Sequence, residues 1–163
     1  MTSRLMYFYA FLCTVGMLVL GFYVQFGEGI NPCPLCILQR IDLALLAILF
    51  FFGVTLTLKK FGRFVLAFFT FIVSAMGIFF AGRQVWLQHL PANQSTDCGV
   101  SLQYMLQVFP FDEVVKKVFA GTAECSQIDW SFLGLSMAHW TLVGFVIFAI
   151  FSLWQAFTKV THG

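Results

Sequence analysis

The run from Leu5 to Phe26 contains no charged residue, and it limits the fold of this chain more than any other feature. An α-helix needs roughly 20 apolar residues to cross a bilayer core about 30 Å thick, and this run is long enough. Arg4 is the only charge before it, and no small-residue cleavage site follows before Gly27. We therefore expect a retained membrane helix and not a removed signal peptide.

Composition extends this expectation to the whole chain. Of its 163 residues, 60% are hydrophobic and 10% are charged, whereas ordinary soluble domains have roughly 45–50% and about 25%. The sequence predicts an all-α membrane protein, a four-transmembrane-helix bundle in one membrane domain with the lipid bilayer as its surroundings and no nucleic-acid partner. The expected spans are residues 5–26, 35–58, 64–86 and 137–157.

The second and third spans have features of their own. The apolar part of the second span, Leu43 to Leu58, is too short to cross the bilayer unless its helix extends back through Leu35, which brings charged residues to the membrane border. In the third span, Gly77 and Ala81 are four residues apart, a spacing that lets a neighbouring helix approach closely.

The charges predict the orientation. Cytoplasmic segments of membrane proteins are enriched in Lys and Arg, and three segments here are basic without any acid: the N-terminus, the turn before the third span and the tail, which hold Arg4, Lys59, Lys60, Arg63 and Lys159. We expect both termini in the cytoplasm. The loops at about 27–34 and 87–136 carry the acids Glu28, Asp97, Asp112, Glu113, Glu124 and Asp129, and are expected to face outward.

A C-x-x-C pair, Cys33-Pro-Leu-Cys36, stands where the second span begins. If Cys36 lies in the first turn of a helix, the unpaired N–H groups there stabilise its thiolate form. Arg40 follows one turn later along the same face. A C-x-x-C pair can also be half of a zinc site. An arginine at the end of a span can simply extend its charged group toward water. We favour the interpretation of Cys33 and Cys36 as a redox pair.

Four of the five cysteines are expected on the same outer, oxidising side: Cys33 and Cys36 in the first outward segment, Cys98 and Cys125 in the second. Disulfides persist in such a compartment, so two oxidised pairs are expected unless something reduces them. Four cysteines could also form a closed zinc site. The fifth, Cys13, is expected to be a small buried residue within the first span.

The second outward loop is too long for a simple connection, which is typical of functional loops. It contains two short apolar patterns with helical spacing, predicted to be amphipathic helices; they comprise Leu102, Met105, Leu106 and Phe109, then Val114, Val115, Val118 and Phe119. Such helices can lie on the membrane surface or pack onto the bundle, and we favour the surface. Cys98 and Cys125 bracket them in polar, glycine-containing surroundings. A bridge between these cysteines could be a structural staple or a disulfide that another protein must reach.

In these residues the chain resembles the DsbB family of bacterial inner-membrane disulfide-bond formation proteins. The resemblance rests on the four spans, on Cys33-Pro-Leu-Cys36-Ile-Leu-Gln-Arg40, on Cys98 and Cys125, and on Asp129-Trp-Ser-Phe-Leu-Gly-Leu135 before the last span. It implies a quinone-dependent protein thiol-disulfide oxidoreductase of the inner membrane. Its partners would be a DsbA-like periplasmic thiol oxidase and the membrane quinone pool, ubiquinone or menaquinone; DsbA, DsbB and quinone are themselves the general example of a system that keeps a periplasm oxidising.

The resemblance also implies roles for individual residues. Cys33 and Cys36 resemble the quinone-coupled pair, Cys98 the sulfur that joins DsbA, and Cys125 its partner. Arg40 resembles the arginine that binds quinone, and His89 occupies the position of a histidine that helps to hold it. Gln39 stands where relatives carry Glu, so no acidic neighbour is available there. No metal ligand is implied.

Two alternatives to a general DsbB-like oxidoreductase stay open at this point. One is a specialised member of the same family that serves one dedicated oxidase. The other, of a different class, is a four-span scaffold held together by zinc or by structural disulfides. The scaffold leaves Arg40 at the membrane border unexplained, because a charge there is costly unless it is paired or used.

Overall fold

The structure is a computed structural model that describes residues 3–27, 33–56, 60–89, 107–110, 112–113, 116, 131–132 and 134–157. Within these ranges lie four long α-helices, each long and apolar enough to cross a membrane. The predicted four-helix membrane bundle is therefore confirmed. The helices are α1 (Ser3–Gly27), α2 (Pro34–Thr55), α3 (Lys60–His89) and α4 (Met137–Phe157).

The ends of α2 follow from its sequence. Cys33 is the N-cap residue in an extended conformation, and Pro34 opens the helix, a position that suits proline because no intrahelical N–H bond is lost there. The helix therefore starts early enough to include Cys36, as its short apolar stretch required. It ends at Thr55, three residues before the expected end of the span at residue 58, and Leu56 is already extended.

The helices pack in chain order, α1 on α2, α2 on α3 and α3 on α4. One hydrophobic core joins all four of them, because Tyr7 of α1, Phe50 of α2, Leu66 of α3 and Phe148 of α4 belong to the same buried cluster. Rings dominate its centre: the Phe50 and Phe148 ring centroids lie 5.4 Å apart.

A close contact between α3 and α4 depends on Gly77. The ring of Phe145, which is fully buried, lies where a Cβ atom of residue 77 would be placed. Ala81, one turn further along α3, is also fully buried. The close approach predicted from the small residues Gly77 and Ala81 is thus confirmed, and the partner is α4.

A short β-hairpin precedes α4, and the sequence patterns did not indicate it. Strands β1 (Ser131–Phe132) and β2 (Leu135–Ser136) pair antiparallel, with Ser131 opposite Ser136. Gly134 in the turn has φ +78°, a conformation that glycine adopts without steric cost. The hairpin is made from the motif before the last span that carries the family resemblance.

The long loop is described only in part. Residues 107–108, 112–113 and 116 are helical, and Lys116 forms an exposed ion pair with Asp112 at 3.7 Å, a separation of one helical turn. Most of the two predicted amphipathic patterns lies outside the described residues. Cys98 and Cys125 also lie outside them.

Candidate functional site

Cys33 and Cys36 form a compact pair at the outer start of α2. The Cys33 sulfur caps the helix by accepting a hydrogen bond from the backbone N–H of Cys36 at 3.3 Å. The two sulfur atoms lie 2.8 Å apart, with the Cys33 thiol as donor. The two sulfurs are thus in contact, an arrangement that suits disulfide formation within the pair. The unpaired N–H groups of the first turn favour a negative charge on this sulfur pair.

The pair is largely enclosed by apolar side chains. Cys33 is 4% exposed and belongs to a cluster with Leu35 of α2 and with Phe80 and Leu87 of α3. Phe109, from the long loop, packs on the same cluster, together with Cys36. A segment of the loop therefore reaches the apolar cluster that contains Cys33, although the cysteines of the loop lie outside the described residues.

A chain of hydrogen bonds leads from Cys36 into the bundle. The side-chain amide of Gln84 on α3 donates to the Cys36 sulfur at 3.1 Å. The carbonyl oxygen of Gln84 accepts from the Gln39 amide at 2.7 Å, and the oxygen of Gln39 accepts from the Thr141 hydroxyl on α4 at 2.8 Å. Three helices thus contribute to one series of hydrogen bonds that ends at the Cys36 sulfur.

Gln84 and Thr141 do not stand out in the sequence, and Gln39 stands out only as a departure from Glu. A signal was available, since a glutamine that remains in a strongly apolar span needs a buried partner. Gln39 and Gln84 are 4% and 6% exposed, respectively. What the sequence does not contain is the register of α2 against α3, which alone makes the two amides meet.

Arg40 is directed toward α1. Its Nη2 atom donates to the carbonyl oxygen of Gly21 at 2.9 Å, Nη1 donates to the Gln25 side chain, and the guanidinium lies over the Phe22 ring, 5.1 Å from the centroid. A guanidinium has five N–H donors, so these two bonds leave capacity for another acceptor. Arg40 is only partly buried, which leaves it reachable from the surroundings of the helix.

His89 is the last residue of α3 and is exposed. Its Nδ1 atom donates to the carbonyl oxygen of Val85 at 2.8 Å, and its ring lies edge-on to that of His139, with centroids 5.9 Å apart. Ser136 donates its hydroxyl hydrogen to Gln88, so the 2.8 Å contact between Ser136 and His139 requires the hydrogen on His139 Nδ1. These contacts tie His89 to the start of α4. Its role toward quinone stays a prediction.

An apolar cavity of about 560 Å³ lies between α1 and α4. Its lining includes Cys13, Gly16 and Met17 of α1 and Trp140, Gly144 and Ile147 of α4. Cys13 is exposed, so the prediction that it is a buried core residue is wrong. The reason is geometric: α1 packs on α2 along another face, which leaves Cys13 on the side that faces this cavity.

Asp42 lies on the buried face of α2, one turn beyond Gln39, and is 3% exposed. Among the described residues no hydrogen-bond partner approaches its Oδ2 atom.

The described part of the chain contains no group of three or more His, Cys, Asp or Glu residues placed to hold a metal ion. Cys33, Cys36 and Arg40 are brought together on the first turns of α2, whereas His89 lies at the end of α3. The four-cysteine zinc arrangement requires Cys98 and Cys125, which are outside the described residues.

Comparison with known proteins agrees with this architecture. The family model described as disulfide bond formation protein DsbB matches residues 3–155. A disulfide bond formation protein B from Hahella chejuensis is 43% identical over 148 residues, which are 91% of this chain and 90% of that protein. Proteins with the same description from Nitrosococcus oceani and Stutzerimonas stutzeri are 41% and 38% identical over 155 and 154 residues, which are 95% and 94% of this chain and 92% and 94% of theirs. The chain belongs to the DsbB family of disulfide bond formation proteins.

Proposed function

We propose that this protein reoxidises a DsbA-like periplasmic thiol oxidase and passes the electrons to membrane quinone. The route runs from the dithiol of the oxidase to a Cys98–Cys125 disulfide, then to a Cys33–Cys36 disulfide, and then to ubiquinone or menaquinone. The observation that carries the proposal is the Cys33–Cys36 pair, whose sulfurs are in contact at the start of a membrane-spanning helix with Arg40 one turn away.

The thiol steps are exchanges in which electrons and bonds balance. A thiolate of the reduced oxidase attacks the Cys98 sulfur, and Cys125 leaves as a thiolate; the second thiol of the oxidase then displaces Cys98. The oxidase has lost two electrons and the loop has gained them. In the same way the reduced loop attacks Cys33, and Cys36 leaves as the thiolate.

The surroundings of Cys36 suit that leaving group. The first turn of α2 supplies partial positive charge, and Gln84 donates a hydrogen bond to the sulfur. The apolar cluster shields the Cys33 sulfur from water, whereas Cys36 is partly exposed. Phe109 packs on this cluster, which supports an approach of the long loop to Cys33 during the second exchange.

A bound quinone would supply the acceptor for the two electrons and two protons that Cys33 and Cys36 release when their disulfide forms again, with quinol as the product. The residues present fit such a substrate. Arg40 has donors left over for a quinone oxygen and favours negative charge on it. The cavity between α1 and α4 is apolar and suits an isoprenoid chain.

The proposed location is the bacterial inner membrane, with both termini in the cytoplasm and the loops at about 27–34 and 87–136 in the periplasm. The distribution of basic residues supports this orientation. It also gives the two cysteine pairs different neighbours: a soluble oxidase can approach the polar loop, whereas quinone meets α2 within the bilayer.

The test is anaerobic mixing of the purified full-length protein with a reduced DsbA-type oxidase and ubiquinone-1, followed by the absorbance change of quinol formation. We expect one quinol per oxidase disulfide formed. Cys36→Ser is the matched control and should abolish turnover, since the disulfide next to quinone can no longer form. Absence of quinol formation by the unchanged protein, with menaquinone tried as well, contradicts the proposal.

The same preparation separates the alternatives. Bound zinc in stoichiometric amount, found by metal analysis, with no quinone reduction, would support the scaffold. Comparison of several DsbA-type oxidases as electron donors distinguishes a general enzyme from a dedicated one, because a dedicated member accepts electrons from one of them only.

A further inference from the structure

We infer that Gln84 is a positioning residue that stabilises the Cys36 thiolate, and that Gln39 and Thr141 hold its amide in the orientation that does so. The inference deepens the proposed function, in which Cys36 is the thiolate released beside quinone. It assigns a part in that step to α3 and α4, which contribute no cysteine to the pair.

The first support is the contact itself. The Gln84 amide nitrogen lies 3.1 Å from the Cys36 sulfur and donates to it. A sulfur atom accepts a hydrogen bond more strongly when it carries a negative charge, so this bond favours thiolate over thiol. Gln84 is 6% exposed, and in such low-polarity surroundings a directed donor has more effect than it has in water.

The second support is the direction of the hydrogen bonds that link Gln84, Gln39 and Thr141. An amide offers a donor on one side and an acceptor on the other, so Gln84 could in principle turn its oxygen toward Cys36 and favour the thiol instead. Here that oxygen accepts from Gln39 at 2.7 Å, and the oxygen of Gln39 accepts from Thr141 at 2.8 Å. The Thr141 hydroxyl has one hydrogen and two acceptors within reach, the Gln39 oxygen at 2.8 Å and the Ala138 carbonyl oxygen at 3.0 Å. When that hydrogen goes to Gln39, both amides are oriented so that Gln84 donates to Cys36, and we infer that Thr141 sets the direction of these hydrogen bonds in this way.

The two orientations of the Gln84 amide predict opposite changes in the thiolate population of Cys36, which makes the inference testable. If Gln84 donates to Cys36, its replacement by an apolar side chain of similar size lowers the thiolate population. If Gln84 accepted from Cys36, the same replacement would raise it. Gln84→Met is the suitable change, because methionine keeps the length and removes both polar groups.

The experiment measures alkylation of Cys36 by iodoacetamide in the reduced full-length protein carrying Cys33→Ser, so that Cys36 cannot form its disulfide. The rate at Cys36 is read by mass spectrometry from pH 5 to pH 10. With Gln84→Met we expect the pH profile to move roughly one pH unit higher. The rate at neutral pH should fall only about threefold, because a more basic thiolate is also more nucleophilic.

Three variants complete the design. Thr141→Val removes the hydroxyl group that donates to Gln39 and should move the pH profile in the same direction as Gln84→Met. Thr141→Ser keeps a hydroxyl group at this position and should leave the profile where it is with Thr141. Gln155→Met is the matched control, since Gln155 is a buried glutamine of α4 that contacts Arg63 and not the cysteine pair; it should leave the profile unchanged. Helix content by circular dichroism verifies the fold of each variant.

An unchanged profile in Gln84→Met, or faster alkylation, overturns the inference. An effect of Gln84→Met with none of Thr141→Val overturns the part assigned to α4. The measurement needs neither quinone nor an oxidase. A failure of quinone reduction would therefore remove the proposed function without changing this result, and the two can be told apart.

Discussion

The Arg40 guanidinium donates from Nη2 to the main-chain carbonyl oxygen of Gly21 across 2.9 Å. The bond joins α2 to α1 and, with the Gln25 contact, fixes the plane of the guanidinium beside the helix that carries Cys36. Arg40 is thus held in place before any substrate arrives. A preorganised cation of this kind loses little rotational freedom when it binds an oxygen of quinone.

Arg40→Ala should impair the reaction with quinone. Loss of a charge-assisted hydrogen bond, worth roughly 1.5–3 kcal/mol, would raise the KM for quinone or lower kcat by about tenfold or more. Arg40→Lys should recover only part of this loss, because an ammonium group cannot hold Gly21, Gln25 and a quinone oxygen in one plane. The measurement is steady-state quinol formation, with the exposed Arg4→Ala as control. Unchanged quinone kinetics in Arg40→Ala would remove Arg40 from the site.

Gly77→Ala should destabilise the bundle, because the added methyl group would overlap the Phe145 ring. Overpacking of this kind costs roughly 1–3 kcal/mol. Gly82→Ala is the control on the same helix: nothing lies within 4 Å of the new Cβ atom, and alanine is the better helix former. Thermal unfolding in detergent should show a lower midpoint for Gly77→Ala and an equal or higher one for Gly82→Ala. Equal midpoints for both variants would contradict the close α3–α4 contact.

Cys13 should tolerate a small replacement and resist a large one. Cys13→Ser should keep quinone turnover within about twofold, since this thiol lies away from the proposed relay and contributes only packing. Cys13→Trp places a large side chain in the cavity between α1 and α4, and we expect the KM for a long-chain quinone to rise roughly fivefold or more. A short-chain quinone should be affected less. Equal KM values for long and short quinones in Cys13→Trp would show that the isoprenoid chain does not use this cavity.

The proposed orientation can be tested with reporters at the N-terminus, at Gly62 and at the C-terminus. All three should report the cytoplasm, because the basic segments without acids lie there. Membrane-impermeant thiol reagents added outside should label Cys98 and Cys125 in the reduced protein. A Gly62 reporter that is active outside the cell would contradict the orientation of all four spans.

Much of this fold could be predicted from local sequence. Long uncharged runs determine the four helices, and the proline after Cys33 indicates where α2 begins. The hairpin before α4 could not be found in this way, because each strand has only two residues and shows no alternation that could be recognised. Its one local sign is Gly134, and a single glycine does not specify a hairpin.

The part of the site that lies on one helix could be predicted from residue spacing in the sequence. The part that depends on the register between helices could not. Cys33, Cys36 and Arg40 lie within two turns of one helix, so their spacing alone brings them together. Gln84 and Thr141 reach the same place from α3 and α4, 48 and 105 positions after Cys36. The side on which Cys13 lies also depends on how α1 packs, which its nearly uniform apolar sequence does not define.

The order of the proposed relay gives the last prediction, and it follows from which pair each substrate can reach. A soluble oxidase can approach the polar surroundings of Cys98, whereas quinone is confined to the bilayer and meets Cys36. Each exchange passes through a mixed disulfide. In Cys125→Ser the Cys98 thiolate can attack the disulfide of the oxidised oxidase, but no Cys125 thiol is present to displace the oxidase and close the loop disulfide, so the oxidase should be trapped on Cys98.

Cys33→Ser tests the other end of the same relay. It should leave Cys36 as an unpaired thiolate beside quinone, and an electron donor in contact with an acceptor should give a visible charge-transfer absorption. The absorption should fade in acid, because protonation removes the donor, and it should weaken with Arg40→Ala, because the acceptor is less well held. Non-reducing gels and absorption spectra of the single variants check both results. The proposed order would be contradicted if the oxidase were trapped on Cys36 in the otherwise unchanged protein, with Cys98 and Cys125 dispensable for turnover. The Cys33–Cys36 pair would then react with both substrates by itself.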